Sequence, residues 1–131
     1  MRDRRLHYEE KGQTATELAL VLPVFCLLLF GIIQFGILFN NYVTLTDAVR
    51  AGARTAAVSR HEPSPAAAAE ARVRSAAGDL DDAALDVNVT ATAWEHGEDV
   101  TVEAKYPYSI NLLGWVAADG FLTSTTTERV E

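Results

Sequence analysis

Residues 11–39 read KGQTATELALVLPVFCLLLFGIIQFGILF, and this stretch decides the fold of the chain. From Leu18 to Phe39 there is an uninterrupted run of 22 residues without Asp, Glu, Lys or Arg. An α-helix rising about 1.5 Å per residue would extend roughly 33 Å over that run, enough to cross a bilayer. The sequence therefore predicts a transmembrane helix over residues 13–39, with the lipid bilayer as its surroundings.

The apolar run is too long for a cleaved secretory signal, whose apolar region has about 7–15 residues followed by small residues at the cleavage site. Here the run continues into Leu38-Phe39-Asn40-Asn41-Tyr42, which is a poor site of that kind. We therefore expect an anchor that stays in the mature protein. Residues 1–12 form a leader rich in basic residues, namely Arg2, Arg4, Arg5 and Lys11. Basic residues beside a first span favour the cytoplasmic side, so residues 40–131 are expected to form an extracytoplasmic domain.

The bulk composition excludes several classes of function. The chain has 131 residues and a formal net charge of −7 at pH 7, whereas nucleic-acid binding needs a basic footprint. Its one cysteine, Cys26, lies inside the apolar run and is interpreted as a small apolar helix residue. The histidines, His7, His61 and His96, are far apart and have no metal-ligand spacing. The sequence contains no nucleophile elbow and no Walker-type loop, so we predict no enzyme activity, no metal and no cofactor.

Helix periodicity continues beyond the apolar run. Apolar residues recur in steps of three and four at Tyr42, Leu45, Val49, Ala53 and Ala56. This predicts one long helix from about Thr14 to Ser59, with an amphipathic extension over residues 40–60 and a bend or loosened turn at Pro23.

A second, short helix is predicted over residues 65–78. Ser64 suits the N-cap, Pro65 the first helical position and Gly78 the end of the helix. The alternative interpretation is a flexible linker, because the alanine-rich sequence offers little area to bury.

Residues 84–131 are predicted to be rich in β-structure. Apolar and polar residues alternate over 85–94 and over 100–108, which indicates an antiparallel hairpin around His96–Asp99. A threonine-rich segment, Phe121–Val130, is expected to add a third strand. The covered face of this small antiparallel sheet should pack on the Tyr42/Leu45/Val49 stripe, which makes the fold class α+β. The face is expected to consist of Leu85, Val87 and Val89 opposite Val100, Val102 and Ala104.

The segment Ile110–Leu122 allows two interpretations. It is apolar but too short and too interrupted by Gly114 and Gly120 to span a bilayer. A buried crossover is the favoured interpretation, and an exposed apolar patch that meets a partner is the other. The preceding residues Tyr106 and Tyr108 are expected to pack against the helix.

One carboxylate stands at the head of the apolar run. If the chain were cut after Gly12, Gln13 would become the first residue and Glu17 the fifth. A charge at the edge of a membrane helix is costly and tends to mark function. Two interpretations remain open from the residues alone. Glu17 is either a functional group, which in the first helical turn would also complement the helix dipole, or merely the interfacial end of an anchor.

This order of features resembles the start of type IV pilin-like proteins. Similarity to TadE-like proteins, pseudopilins or minor pilins of tight-adherence (Flp) pilus systems, extends over roughly residues 11–58. It is carried by the segments KGQTATELALVLP (11–23), FGIIQFG (30–36) and AVRAGAR (48–54).

The resemblance implies a type IV pilin-like architecture and cleavage by a prepilin peptidase after Gly12, with Gly12 and Glu17 as the recognition pair. In a filament, the Glu17 carboxylate would meet the free amine on Gln13 of a neighbouring subunit. The resemblance also implies a bacterial cell membrane, other pilin subunits and the pilus assembly machinery as partners, and extraction into an adhesion pilus as one fate.

The sequence departs from the family pattern at one position. Flp-type sites often carry tyrosine after the glutamate, where Leu18 stands here. The alternative is therefore an unprocessed single-pass membrane protein, with an extracytoplasmic binding domain and no role in a filament.

Overall fold

The computed structural model of the chain describes residues 3–112 and 114–131, with side chains described from residue 12 onward. It has the predicted α+β class: a long helix, a short helix and a three-stranded antiparallel sheet. The elements are α1 (Asp3–Val58), α2 (Pro65–Ala76), a 3₁₀ turn (Asp82–Ala84), β1 (Asp86–Ala91), β2 (Asp99–Leu112) and β3 (Trp115–Arg129).

Helix α1 contains 56 residues and is continuous through Pro23. It ends within one residue of the predicted boundary at Ser59. The predicted start is wrong, because the helix begins at Asp3 and not near Thr14. The residues that precede Gly12 include several good helix formers (Arg, Leu, Glu and Lys), and one glycine costs only about 1 kcal/mol in a helix.

The part of α1 that contains the run Leu18–Phe39 is long and apolar enough to cross a membrane. Within the described residues, one helical segment, Gly12–Val58, meets this condition, and its most apolar part has no residue buried inside the protein. Large side chains are exposed along this part, including Leu20, Ile32 and Phe35 at 72%, 70% and 65%. These findings support a membrane anchor, with lipid as the solvent for the exposed side chains.

The second half of α1 forms one wall of the core. Leu45, Val49, Ala53 and Ala56 are fully buried, as the helix periodicity predicts. Including Tyr42 in this stripe is wrong, because Tyr42 is 45% exposed. It lies at the edge of the sheet, where it lines a cavity together with Leu38 and with Leu122 of β3.

Helix α2 packs on α1 and is not a flexible linker. Ala69 and Val73 are fully buried in the common core. Ser64 occupies the N-cap position but makes no side-chain cap to the described residues, and its backbone carbonyl accepts from the Ala68 N–H at 3.1 Å. The helix ends at Ala76 with Ala77 as its C-cap. Gly78 directly follows the cap, so the observed end lies within one or two residues of the predicted one.

The predicted hairpin is confirmed, but Leu85 lies before β1 and Ala91 takes its place among the residues opposite β2. The sheet order is β1-β2-β3, and Val87 lies opposite Ala104, Val89 opposite Val102 and Ala91 opposite Val100. Val100, Val102 and Ala104 are fully buried in one cluster with Leu45 and Val49, so the covered face packs on α1 as expected. β1 is shorter than the alternating pattern, and Trp94 follows it in a loop, where it packs against the core.

The favoured crossover over Ile110–Leu122 is wrong. β2 continues to Leu112 and β3 begins at Trp115, so these residues form the end of a long hairpin. The turn includes Gly114 with φ +90°, a left-handed conformation that glycine adopts readily. Pairing between β2 and β3 continues up to the turn, with one irregularity at Ile110/Asn111, so these residues form a hairpin end and not a crossover. The exposed-patch interpretation therefore fits the structure.

We predict that Val102→Asp destabilises the domain by about 4 kcal/mol or more, because it places an unpaired carboxylate in the core. The matched control is Thr123→Asp, which adds the same group on the exposed side of the sheet opposite Lys105. Thermal unfolding of the full chain in detergent, followed by circular dichroism, measures both. Equal melting temperatures for the two variants would contradict this packing.

Gly52→Ala is expected to destabilise the domain by about 1–3 kcal/mol through overpacking, although alanine is normally the better helix former. A Cβ at Gly52 would overlap Val73 Cγ2 and lie 3.2 Å from the Ala69 carbonyl oxygen. Gly78→Ala is the control, because its Cβ would meet only an ordinary contact at 3.7 Å. If Val73→Ala lowers the cost of Gly52→Ala, the close helix contact is the cause.

Candidate functional site

The residues singled out at the head of the apolar run lie on successive turns of α1. Gly12 faces open space, since a Cβ added there would meet no atom of the described residues within 4 Å beyond its own stretch of helix. The Gly12 carbonyl oxygen accepts a hydrogen bond from Thr16 Oγ1 at 2.9 Å. The Gln13 side-chain amide donates to Glu17 Oε1, four residues on, at 3.1 Å. The helix therefore brings Gly12, Gln13 and Glu17 together on an exposed segment.

This geometry defines what a protease would meet at the Gly12–Gln13 peptide bond. The bond is accessible from outside, but it is part of a helix and must leave helical geometry to be cut. Glycine weakens a helix by about 1 kcal/mol relative to alanine, so unwinding is easiest at this position. The Thr16 hydroxyl opposes unwinding, because its bond to the Gly12 carbonyl would be broken.

The helix-dipole interpretation of Glu17 does not hold for the uncut chain. It requires Glu17 to lie in the first helical turn, but α1 begins at Asp3, about four turns earlier. The dipole acts mainly within the first and last turns. In the uncut chain, the Glu17 carboxylate instead accepts the hydrogen bond from Gln13.

Among the residues with described side chains, no group of three His, Cys, Asp or Glu could hold a metal ion. His61 accepts a hydrogen bond from its neighbour Arg60 at 2.9 Å. His96 lies in the loop between β1 and β2, and Cys26 is partly exposed on α1. The side chain of His7 lies outside the described part of the chain.

Sequence reasoning missed a cluster around Arg74 at the end of α2. Its guanidinium lies 2.8 Å from Asp82 Oδ1 and 3.0 Å from Glu70 Oε1, and it donates to the carbonyl oxygens of Asp82 and Leu85. The hydrogen bonds that the guanidinium donates to the carboxylates of Asp82 first and Glu70 second raise the pKa of Arg74. The spacing of four residues between Glu70 and Arg74 could have predicted their ion pair on the helix surface. The cluster ties α2 to the segment that enters β1, which is a structural role.

The end of the β2–β3 hairpin exposes large apolar side chains that are not part of the core. Trp115 is 82% exposed, Phe121 70% and Val116 62%. Tyr106 is different, because it packs at the edge of the core and its hydroxyl accepts from the Asp81 N–H at 3.3 Å. Tyr108 is partly buried beside α1, as expected.

The fold and site together describe a helix-anchored α+β domain with a glycine and a glutamate five residues apart at the head of the anchor. Residues 12–54 match the family model described as TadE-like protein. The match confirms the resemblance over those residues and is consistent with a pilus-associated protein. No curated protein and no solved structure gives a match to the chain.

The matched segment includes all three predicted site residues and stops inside the domain. It begins at Gly12, contains Glu17 and ends at Arg54, four residues before the end of α1. It therefore covers the anchor and the face of α1 on which α2 and the sheet pack. The sheet itself lies outside the match.

Proposed function

We propose that the protein is a membrane-anchored pseudopilin or minor pilin that takes part in assembling a tight-adherence pilus, and that it is not an enzyme. The observation that carries this proposal is the TadE-like match beginning at Gly12, at the head of an apolar helix that buries none of its most apolar part against the described residues. A minor rather than a major subunit is favoured, because residues 40–131 form a substantial domain beyond the anchor.

In this proposal a prepilin peptidase cuts between Gly12 and Gln13, with the leader on the cytoplasmic side and the domain outside. Support comes from the open surroundings of Gly12 and the helix-weakening effect of glycine. The partners are the peptidase, other pilin or pseudopilin subunits and the assembly machinery. Extraction of the processed chain from the membrane into a pilus is part of the proposal.

The carboxylate of Glu17 has a separate role in this proposal. Once the leader is removed, the free amine on Gln13 of a neighbouring subunit would replace the Gln13 amide as its partner. An ion pair in a lipid-like environment is strongly orienting, because an unpaired charge there is expensive. The pair would fix the axial register between subunits.

The second candidate is an unprocessed single-pass protein whose outer domain binds a partner. The continuous helix from Asp3 through Gly12 favours it, since an uncut leader fits that helix without rearrangement. The N-terminal sequence of the cellular protein separates the two candidates. A start at Gln13 supports the pseudopilin, and an intact leader supports the unprocessed anchor.

Gly12→Val is expected to leave the leader attached, because a branched side chain at Gly12 would obstruct close approach by a membrane-embedded protease. The assay is the mass of the protein after co-expression with a prepilin peptidase. Gly31→Val is the control, since it adds the same bulk farther along α1, also in open space. Equal masses for Gly12→Val and the wild type would count against cleavage at this position.

Glu17→Ala should still insert into the membrane, because the apolar run suffices without this carboxylate. Pilus formation is expected to fall while the membrane level of the protein stays near normal, since the partner for a neighbouring amine is lost. Both are measured in the same cells lacking the native copy, by a membrane-fraction blot and a count of surface filaments.

Glu17→Gln tests the charge alone, and Glu62→Ala is the control for loss of an exposed glutamate far from the anchor. Both Glu17 variants should lose filaments, whereas Glu62→Ala should not. Unchanged piliation in the Glu17 variants would remove the proposed role of this residue in assembly.

A further inference from the structure

The β2–β3 hairpin extends well beyond the sheet that covers the core. β1 pairs with β2 only as far as Asp86 opposite Lys105. Past that point β2 and β3 continue as a two-stranded arm, residues 106–122, whose pairing runs from Tyr106 opposite Leu122 to Leu112 opposite Trp115. We call residues 110–112 and 114–118 the tip of the arm.

The arm runs back along α1 towards the anchor. At one end of the sheet, Asp99 pairs with Arg129, and the nearby Glu131 N–H donates to the Ala57 carbonyl at 2.9 Å, close to the end of α1. Farther along β2, residues 106–110 line a cavity of about 150 Å³ together with Gln34, Ile37, Leu38 and Asn41. β2 is therefore antiparallel to α1.

Strand β2 and helix α1 cover similar distances along their common direction. The eight residue-to-residue steps of β2 from Val100 to Tyr108 extend about 27 Å. The helix from Ala57 back to Leu38 extends about 28 Å. Four more strand residues take the tip roughly 14 Å farther in the same direction. The tip consequently lies level with the apolar run Leu18–Phe39, and not with the domain.

The chemistry of the tip matches that level. No charged residue occurs from Ser109 to Ala118, whereas Lys105 and Asp119 flank this stretch. Trp115 and Val116 are 82% and 62% exposed at the turn. Tryptophan is enriched at membrane–water interfaces, where the ring is in contact with acyl chains and the N–H with water.

We propose that the tip of the arm docks into the outer leaflet of the bilayer that α1 spans, with Trp115 at the interface. The inference rests on α1 being a membrane anchor and not on cleavage after Gly12. Lipid is the occupant because the tip is uncharged on both strands and lies level with the anchor.

Backbone hydrogen bonding limits how deep the tip goes. Within the described residues, the outer edge of β2 has no neighbouring strand beyond Lys105, and β3 is the last strand of the sheet. Open strand edges are not tolerated in the hydrocarbon core, where no water satisfies the free N–H and C=O groups. We therefore place the outer boundary of the hydrocarbon core near Gln34, which leaves about 20 residues, Ala15–Gln34, to cross it and keeps the tip among the headgroups and the first acyl carbons. A second attachment point beside α1 fixes how the domain is rotated about the helix axis.

The test uses the full chain reconstituted in phosphatidylcholine vesicles, with bromine placed either near the headgroup end or near the middle of the acyl chains. The chain has two tryptophans, so Trp94→Phe leaves Trp115 as the only one. Its emission should be blue-shifted and lose more intensity with the shallow bromines than with the deep ones. Trp115→Phe, which keeps Trp94 against the core, should show little loss with either lipid.

Flotation of the vesicles separates this inference from the anchor. Protein that floats while Trp115 is not quenched overturns the docking but leaves the anchor intact, and protein that does not float overturns both. A blue shift without quenching that disappears on dilution with lipid would assign the tip to a neighbouring subunit, and also overturns the proposal. Because Trp94→Phe alters a packed residue, the difference in quenching between wild type and Trp115→Phe gives the same answer with Trp94 retained.

Discussion

The structure depends on one constraint: a single continuous helix has to be stable in two environments, the lipid bilayer and the core of the domain. From Leu18 to Phe39 α1 exposes large apolar side chains all around its surface, and from Leu45 to Ala57 it buries one narrow stripe. Helix α2 and the sheet pack on this stripe. Only in this part of α1 do small buried residues alternate with charged residues such as Asp47 and Arg50. The position of the domain along the chain follows from where this change occurs.

Small side chains determine how closely the domain approaches α1. Ala48, Gly52, Ala53 and Ala56 present almost no bulk, so α2 comes near enough for Val73 to occupy the space where a Cβ of residue 52 would lie. An alanine-rich helix buries little area by itself. Close approach compensates, because dispersion contacts depend steeply on distance. This explains why α2 is a packed helix in spite of its composition.

Local sequence patterns predicted the helices and strands. The features that were not predicted depend on contacts between residues that are distant in sequence. The period-two alternation indicated the hairpin and its covered face, because register and burial are coupled in a strand. The same reasoning failed for Ile110–Leu122. A run of apolar residues around glycine has the same appearance whether it is buried under a domain or exposed at a turn. Likewise, Tyr42 fitted the helical period but lies at the edge of the sheet that covers α1, beside Leu122, where it stays half exposed.

The candidate site illustrates a different limit. The sequence shows the spacing of Gly12 and Glu17, but it did not predict how far the helix extends before them. That extent changes the electrostatic surroundings of Glu17. With α1 starting at Asp3, Glu17 is too far inside the helix to feel its dipole, and its partner is a neutral amide. Removal of residues 1–12 would place Glu17 in the second turn of a helix that begins with a charged amine. The same carboxylate would then be held by an attraction that the uncut chain lacks. Cleavage would thus alter the preferred partner of Glu17 without moving any part of the folded domain.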